Sequence, residues 1–92
     1  MRLTPKQRQE IKAKAHKLRP IVSIGHQGLT DAVKKEADIA LYDHELIKIR
    51  IQAEDRTVRR EYFAELCESL QAEGVQLIGH VGTLYRKSDK HL

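Results

Sequence analysis

The chain has 92 residues, 40% of them hydrophobic and 33% charged, and its 17 Lys and Arg against 13 Asp and Glu give a formal charge of +4. That length fits one domain, no apolar run approaches the ~20 residues that cross a bilayer, and the N-terminus lacks the apolar stretch of a secretory signal. A single cysteine, Cys67, excludes an internal disulfide and fits a reducing compartment, while three Tyr, one Phe and no Trp are too few for a binding mode built on stacking.

The first predicted element opens at Thr4-Pro5. Thr4 can cap a helix, Pro5 suits its first position, and Gln7 stands where a capping box needs it. Gln7, Ile11, Ala15 and Leu18 make a narrow stripe, and Lys6, Arg8, Lys12, Lys14 and Lys17 cover most of the rest. The helix is expected to run up to Pro20, which disfavours helical backbone at the residue before it. Ile21–Ile24 reads as a short strand, followed by Gly25-His26-Gln27-Gly28. Thr30 then caps a second helix that runs to about Tyr42, with Leu29, Val33, Ala37, Ala40 and Leu41 on its apolar face.

Residues 46–52 alternate. Ile47, Ile49 and Ile51 point one way and Lys48 and Arg50 the other, which is the pattern of a strand with one buried face. Asp55 to Thr57 starts a third helix with the stripe Val58, Tyr62, Phe63, Leu66 and Leu70, and Gly74 is its expected stop. Val75–Ile78 and Thr83–Arg86 read as two last strands, and residues 87–92 as a flexible basic tail. The order helix, strand, helix, strand, helix, strand, strand predicts a single two-layer α/β domain over residues 1–86, with a four-stranded mixed sheet.

Charge is unevenly spread. Residues 1–28 hold seven basic residues against Glu10 alone, a net +6. Residues 29–85 carry a net −4 and residues 86–92 a net +2. The basic segment leads directly into Gly25–Gly28. Glycines let a chain turn sharply and let another backbone come close, and the unpaired amides that open a following helix suit phosphate. A tight strand-to-helix turn meets the same description, so spacing leaves both readings open. Gly79-His80-Val81-Gly82 repeats the spacing between two strands, where glycines mark a bulge or hairpin.

The run Pro20-Ile21-Val22-Ser23-Ile24-Gly25-His26-Gln27-Gly28-Leu29-Thr30 resembles the glycine-loop motif of the YhbY-like, CRM-domain family (chloroplast RNA splicing and ribosome maturation domain). Ala15-His16-Lys17-Leu18, His44-Glu45-Leu46-Ile47-Lys48, Gln76-Leu77-Ile78-Gly79 and Leu84-Tyr85-Arg86 are similar to that family at the expected places. The resemblance spans about residues 4–86. It implies an RNA-binding domain whose fold is akin to the C-terminal domain of translation initiation factor 3. It further implies a bacterial, cytoplasmic protein linked to assembly of the large ribosomal subunit. Two departures stand out. His26-Gln27 lacks the fixed positive charge that many members carry in the loop. The loop also follows a strand, whereas in KH domains, which clamp nucleic-acid backbone with a similar loop, it joins two helices.

The five histidines show no metal-ligand spacing, and no cofactor is expected. Cys67 sits within an apolar stripe and reads as a buried structural residue. No nucleophile or acid–base arrangement stands out, because Glu61, Glu65 and Glu68 are spaced like one solvated helical flank. The expectation is a non-catalytic, monomeric RNA-binding protein acting on ribosomal RNA or a pre-ribosomal particle, with no membrane and no small-molecule substrate. Its RNA contacts are expected at Lys12, Lys14, Lys17, Arg19, Gly25, His26, Gln27, Gly28, Lys48, Arg50 and Arg86. The alternative is a protein-binding adaptor that docks an acidic partner through the basic N-terminal segment.

Overall fold

The computed structural model describes residues 3–91, so Arg2 of the basic segment and Leu92 of the tail lie outside the described residues. The elements are α1 (Pro5–Ala15), β1 (Pro20–Ile24), α2 (Asp31–His44), β2 (Leu46–Ile51), α3 (Arg56–Leu70), β3 (Glu73–Ile78) and β4 (Val81–Tyr85), followed by one 3-10 turn at Asp89–His91. The order is the one read from the sequence.

The strands form one sheet in the order β1-β2-β4-β3. β1 and β2 run parallel, which requires the crossover that α2 supplies. β2 with β4, and β4 with β3, are antiparallel. Ile47, Ile49 and Ile51 of β2 are buried beside Val22 and Ile24 of β1 and Leu84 of β4. Ala37 and Leu41 of α2 and Leu66 and Cys67 of α3 close over them. Each large apolar side chain fully buried here contributes about 1.5–3 kcal/mol relative to exposure.

α1 begins as its sequence dictates. The Gln7 amide donates to Thr4 Oγ1 at 3.1 Å and the Thr4 amide donates back to Gln7 Oε1 at 2.9 Å. Its end differs from the expectation, since the helix stops at Ala15. The amides of His16 and Leu18 bond the carbonyls of Ala13 and Ala15, three residues back. Those tighter bonds unwind the chain a turn before Pro20. α1 lies on the sheet face opposite α2 and α3, with Ala15 fully buried. Arg8 fastens it to the edge strand: Nη1 donates to the carbonyls of Gly74 and Val75, each at 3.1 Å, and Nη2 lies 3.7 Å from Glu73 Oε2.

Gly74 does not stop α3. That helix ends at Gln71, whose backbone is left-handed with φ 53° and whose amide reaches the carbonyls of Cys67 and Glu68. Gly74 belongs to β3, and its place reflects packing. A Cβ on Gly74 would stand 2.8 Å from Phe63 Cε2, and one on Gly82 would stand 2.5 Å from Phe63 Cε1. The two glycines, on neighbouring strands, leave room for one ring.

The tail also departs from expectation. The Ser88 amide donates to Glu45 Oε2 at 2.8 Å and its hydroxyl to the Tyr42 carbonyl at 2.6 Å, and Lys90 Nζ pairs with Asp43 Oδ1 at 2.8 Å. Ser88 is buried. Polar side chains that suggest a loose segment find, at the end of α2, a set of acceptors that dock it.

Candidate nucleic-acid interface

The alternation of β2 decides the site. Its isoleucines face the core, so Lys48 and Arg50 project from the opposite face, beside α1. Grooves flank α1 on that outer face. One, of about 610 Å³, is lined by Lys14, Lys17, Arg19, Lys48 and Tyr85 among others. The second, of about 620 Å³, is lined by Lys12, His16, Lys48, Arg50 and Thr83 among others. Lys48 borders both. Arg50 also borders a third cleft of about 350 Å³, shared with His26, Gln52, Glu54 and His80. The three clefts are thus joined by two cations, and the chain of basic residues ends at the glycine loop.

Lys12, Lys14, Lys17, Arg19, Lys48 and Arg50 make no hydrogen bond or ion pair through their side chains among the described residues. Lys12 and Lys48 are half-buried, whereas Lys14, Lys17, Arg19 and Arg50 are exposed. Their charge therefore stays available to an anion. A larger cleft, of about 770 Å³, lies between the first and middle turns of α2 and the C-terminal end of α3. Two of its cations are spent internally, with Lys34 paired to Glu65 and Arg86 to Asp38.

Within the loop, His26 and Gln27 are exposed at a turn closed by the Gly28 amide, which donates to the Gly25 carbonyl at 3.0 Å. The two glycines have different reasons to be there. Gly28 has φ 79°, and a Cβ would stand 2.7 Å from Tyr62 Oη. Gly25 has no positive φ, and a Cβ there would meet nothing within 4 Å. Neither packing nor conformation demands it, so the space above it is open. The start of α2 is less free. Thr30 Oγ1 already accepts the Val33 amide at 3.2 Å, and Asp31 adds a carboxylate to the first turn.

Arg86 does not join the other expected contacts. Nη1 donates to Asp38 Oδ1 at 2.7 Å and to the Leu70 carbonyl at 3.0 Å, and Nη2 donates to the Asp38 carbonyl at 3.0 Å. It ties α2 to the end of α3. Its guanidinium is spent on the fold, away from the outer face.

Sequence reading missed one juxtaposition. The turn at Gly79-His80 lies beside Gly25-His26, because antiparallel β4 begins next to the end of β2. His80 and His26 line the same cleft. Only the strand order could have revealed this.

Cys67 stands outside these clefts. Burial, and secondarily the charge of Glu73, push its thiol from 9.0 up to about 12, so it is a packed residue rather than a nucleophile.

Comparison with known proteins places this arrangement. The chain is 40% identical over 88 residues to a Haemophilus influenzae protein named "RNA-binding protein", covering 96% of this chain and 89% of that one. It is 39% identical over 90 residues to "Probable RNA-binding protein PA4753" of Pseudomonas aeruginosa, covering 98% and 86%. The solution structure of the Staphylococcus aureus protein SAV1595, described as a candidate RNA-binding protein, superposes with a TM-score of 0.84 at 33% identity, over 96% of this chain and 92% of that one. The model of the CRS1 / YhbY (CRM) domain matches residues 3–86, and the chain belongs to that family.

Proposed function

We propose that this chain is a non-catalytic RNA-binding protein that acts, as a monomer in the bacterial cytoplasm, on ribosomal RNA during assembly of the large subunit. The observation that carries the reading is the unpaired cation track from Lys14, Lys17 and Arg19 across Lys48 and Arg50 to the Gly25–Gly28 loop. It belongs to a chain whose relatives are named for RNA binding. Lysines and arginines that neutralise phosphates release counterions, so affinity falls steeply as salt rises. Gly25 lets the backbone of the RNA approach the loop, with His26 and Gln27 as donors at the turn.

Base reading is a minor part of this mechanism. Tyr62 and Phe63 pack against the core, and Tyr85 borders one of the two basic grooves beside α1. Phosphate contacts position an RNA without reading its sequence, so shape supplies the selectivity. Crosslinking in cells followed by sequencing of the attached RNA tests the proposal. Enrichment of large-subunit ribosomal RNA is expected. Recovery of no RNA above background, or of protein partners that survive nuclease treatment, overturns it.

A further inference from the structure

The middle of the chain is acidic as a whole, yet three of its arginines gather at one place. Arg56, Arg59 and Arg60 line a cleft of about 300 Å³ with Leu77 and Gly79. Arg59 is anchored, since its Nη1 donates to the carbonyls of Ala53 at 2.9 Å and Glu54 at 2.7 Å. Arg56 and Arg60 are exposed, and their side chains make no hydrogen bond or ion pair among the described residues. Asp55 makes no ion pair with them among the described residues, and its Oδ1 accepts the amides of Thr57 and Val58 as the helix cap.

The wall of this cleft is the turn between β3 and β4. Gly79 has φ 57°, a backbone that favours glycine, and a Cβ there would meet nothing within 4 Å. The turn is held firmly. The Ile51 amide donates to the His80 carbonyl at 2.7 Å, and His80 Nδ1 lies 2.8 Å from the Ile51 carbonyl. The cleft of Arg50 and His26 lies on the other side of the same turn. The turn therefore separates the cleft of Arg56, Arg59 and Arg60 from the one that Arg50 shares with His26 and Glu54.

We infer that Arg56 and Arg60 are a second phosphate-binding site for RNA, reached by a strand that passes from Arg50 over the Gly79-His80 turn. This rests on the RNA reading above and extends the footprint beyond the outer face to the first turns of α3. Arginine suits the task because its planar fork offers paired donors to phosphate oxygens. The open backbone at Gly79 lets the strand pass close to the turn.

The test is binding of the full chain to fragmented ribosomal RNA between about 50 and about 200 mM salt. Arg56→Gln/Arg60→Gln is compared with Lys14→Gln/Arg19→Gln. Each pair should lower affinity and flatten the slope of log K against log salt by about 1.4 to 1.8, from the ~0.7 to ~0.9 that each phosphate contact contributes. Arg56→Lys/Arg60→Lys should keep most of the slope. If the Arg56/Arg60 double variant binds like the wild type while the Lys14/Arg19 variant weakens, this inference is overturned and the RNA reading stands. If the wild type binds no RNA, both fall. Should the double variant melt early, Arg60→Gln alone should flatten the slope by half as much, and an unchanged slope there is equally fatal.

Discussion

Ile51 and His80 hold each other twice. The Ile51 amide donates to the His80 carbonyl at 2.7 Å, and the His80 ring nitrogen Nδ1 meets the Ile51 carbonyl at 2.8 Å. A carbonyl only accepts, so Nδ1 carries a proton in this bond. The side chain thus extends the pairing of β2 and β4 one residue past Arg50 and Val81. His80→Ala removes one bond of the two. Stability should drop by about 0.5–1.5 kcal/mol, read as a lower urea midpoint with an unchanged slope.

Gly25 and Gly28 should respond differently to the same substitution. Gly28→Ala places a side chain at φ 79° and against Tyr62 Oη, and should cost about 1–3 kcal/mol of stability. Adding Tyr62→Phe removes the hydroxyl and should recover part of the loss. Gly25→Ala meets neither obstacle, so the protein should melt within about 0.5 kcal/mol of the wild type. Its RNA affinity should nevertheless fall, because the methyl group occupies the space left for the ligand backbone. Calorimetry and a filter-binding titration on both variants check the pair.

Arg86 and Arg19 should separate in the opposite sense. Arg86→Gln strips charged hydrogen bonds from Asp38 and from the Leu70 carbonyl, and should cost about 1–3 kcal/mol while leaving RNA affinity near that of the wild type. Arg19→Gln should leave unfolding unchanged and weaken binding most at low salt. A loss of RNA affinity for folded Arg86→Gln would return that residue to the interface.

Cys67 should resist alkylation at neutral pH in the folded protein and react readily in urea. Its thiol is pushed up to about 12 in the fold against 9.0 when free, so the folded chain keeps a proton that the unfolded chain releases. The stability this supplies is complete below about pH 9 and declines as pH rises toward about 12. Between those limits the wild type should lose stability relative to Cys67→Ala, as measured by urea midpoints at stepped pH.

Local chemistry was legible in the sequence. Thr4, Pro5 and Gln7 announce the start of α1 because a capping box involves only neighbours, and the alternation from Leu46 to Ile51 announces β2 because burial on one face has a period of two. The basic face followed from the same alternation. What escaped reading depends on partners distant in sequence. Gly74 reads as a helix stop from its neighbours alone, whereas Phe63 sets its place, and Arg86 reads as an RNA contact, whereas Asp38, 48 residues away, takes its charge. The docking of Ser88 on Glu45 and Tyr42, and the cleft that His26 and His80 share, likewise follow from strand order and helix placement.

Phe63 acts as the fulcrum of α3. Its ring rests where Gly74 and Gly82 carry no side chain, so the tilt of the helix is set by two hydrogens on two strands. One turn back along that lever stands Arg60, and two turns back Arg56, above the turn that joins the same strands. A methyl group added beneath the ring would lift the helix and carry both guanidinium groups away from Gly79. The spacing between these cations and the turn is thus governed by the smallest residues in the sheet, beneath a ring of the helix that carries them.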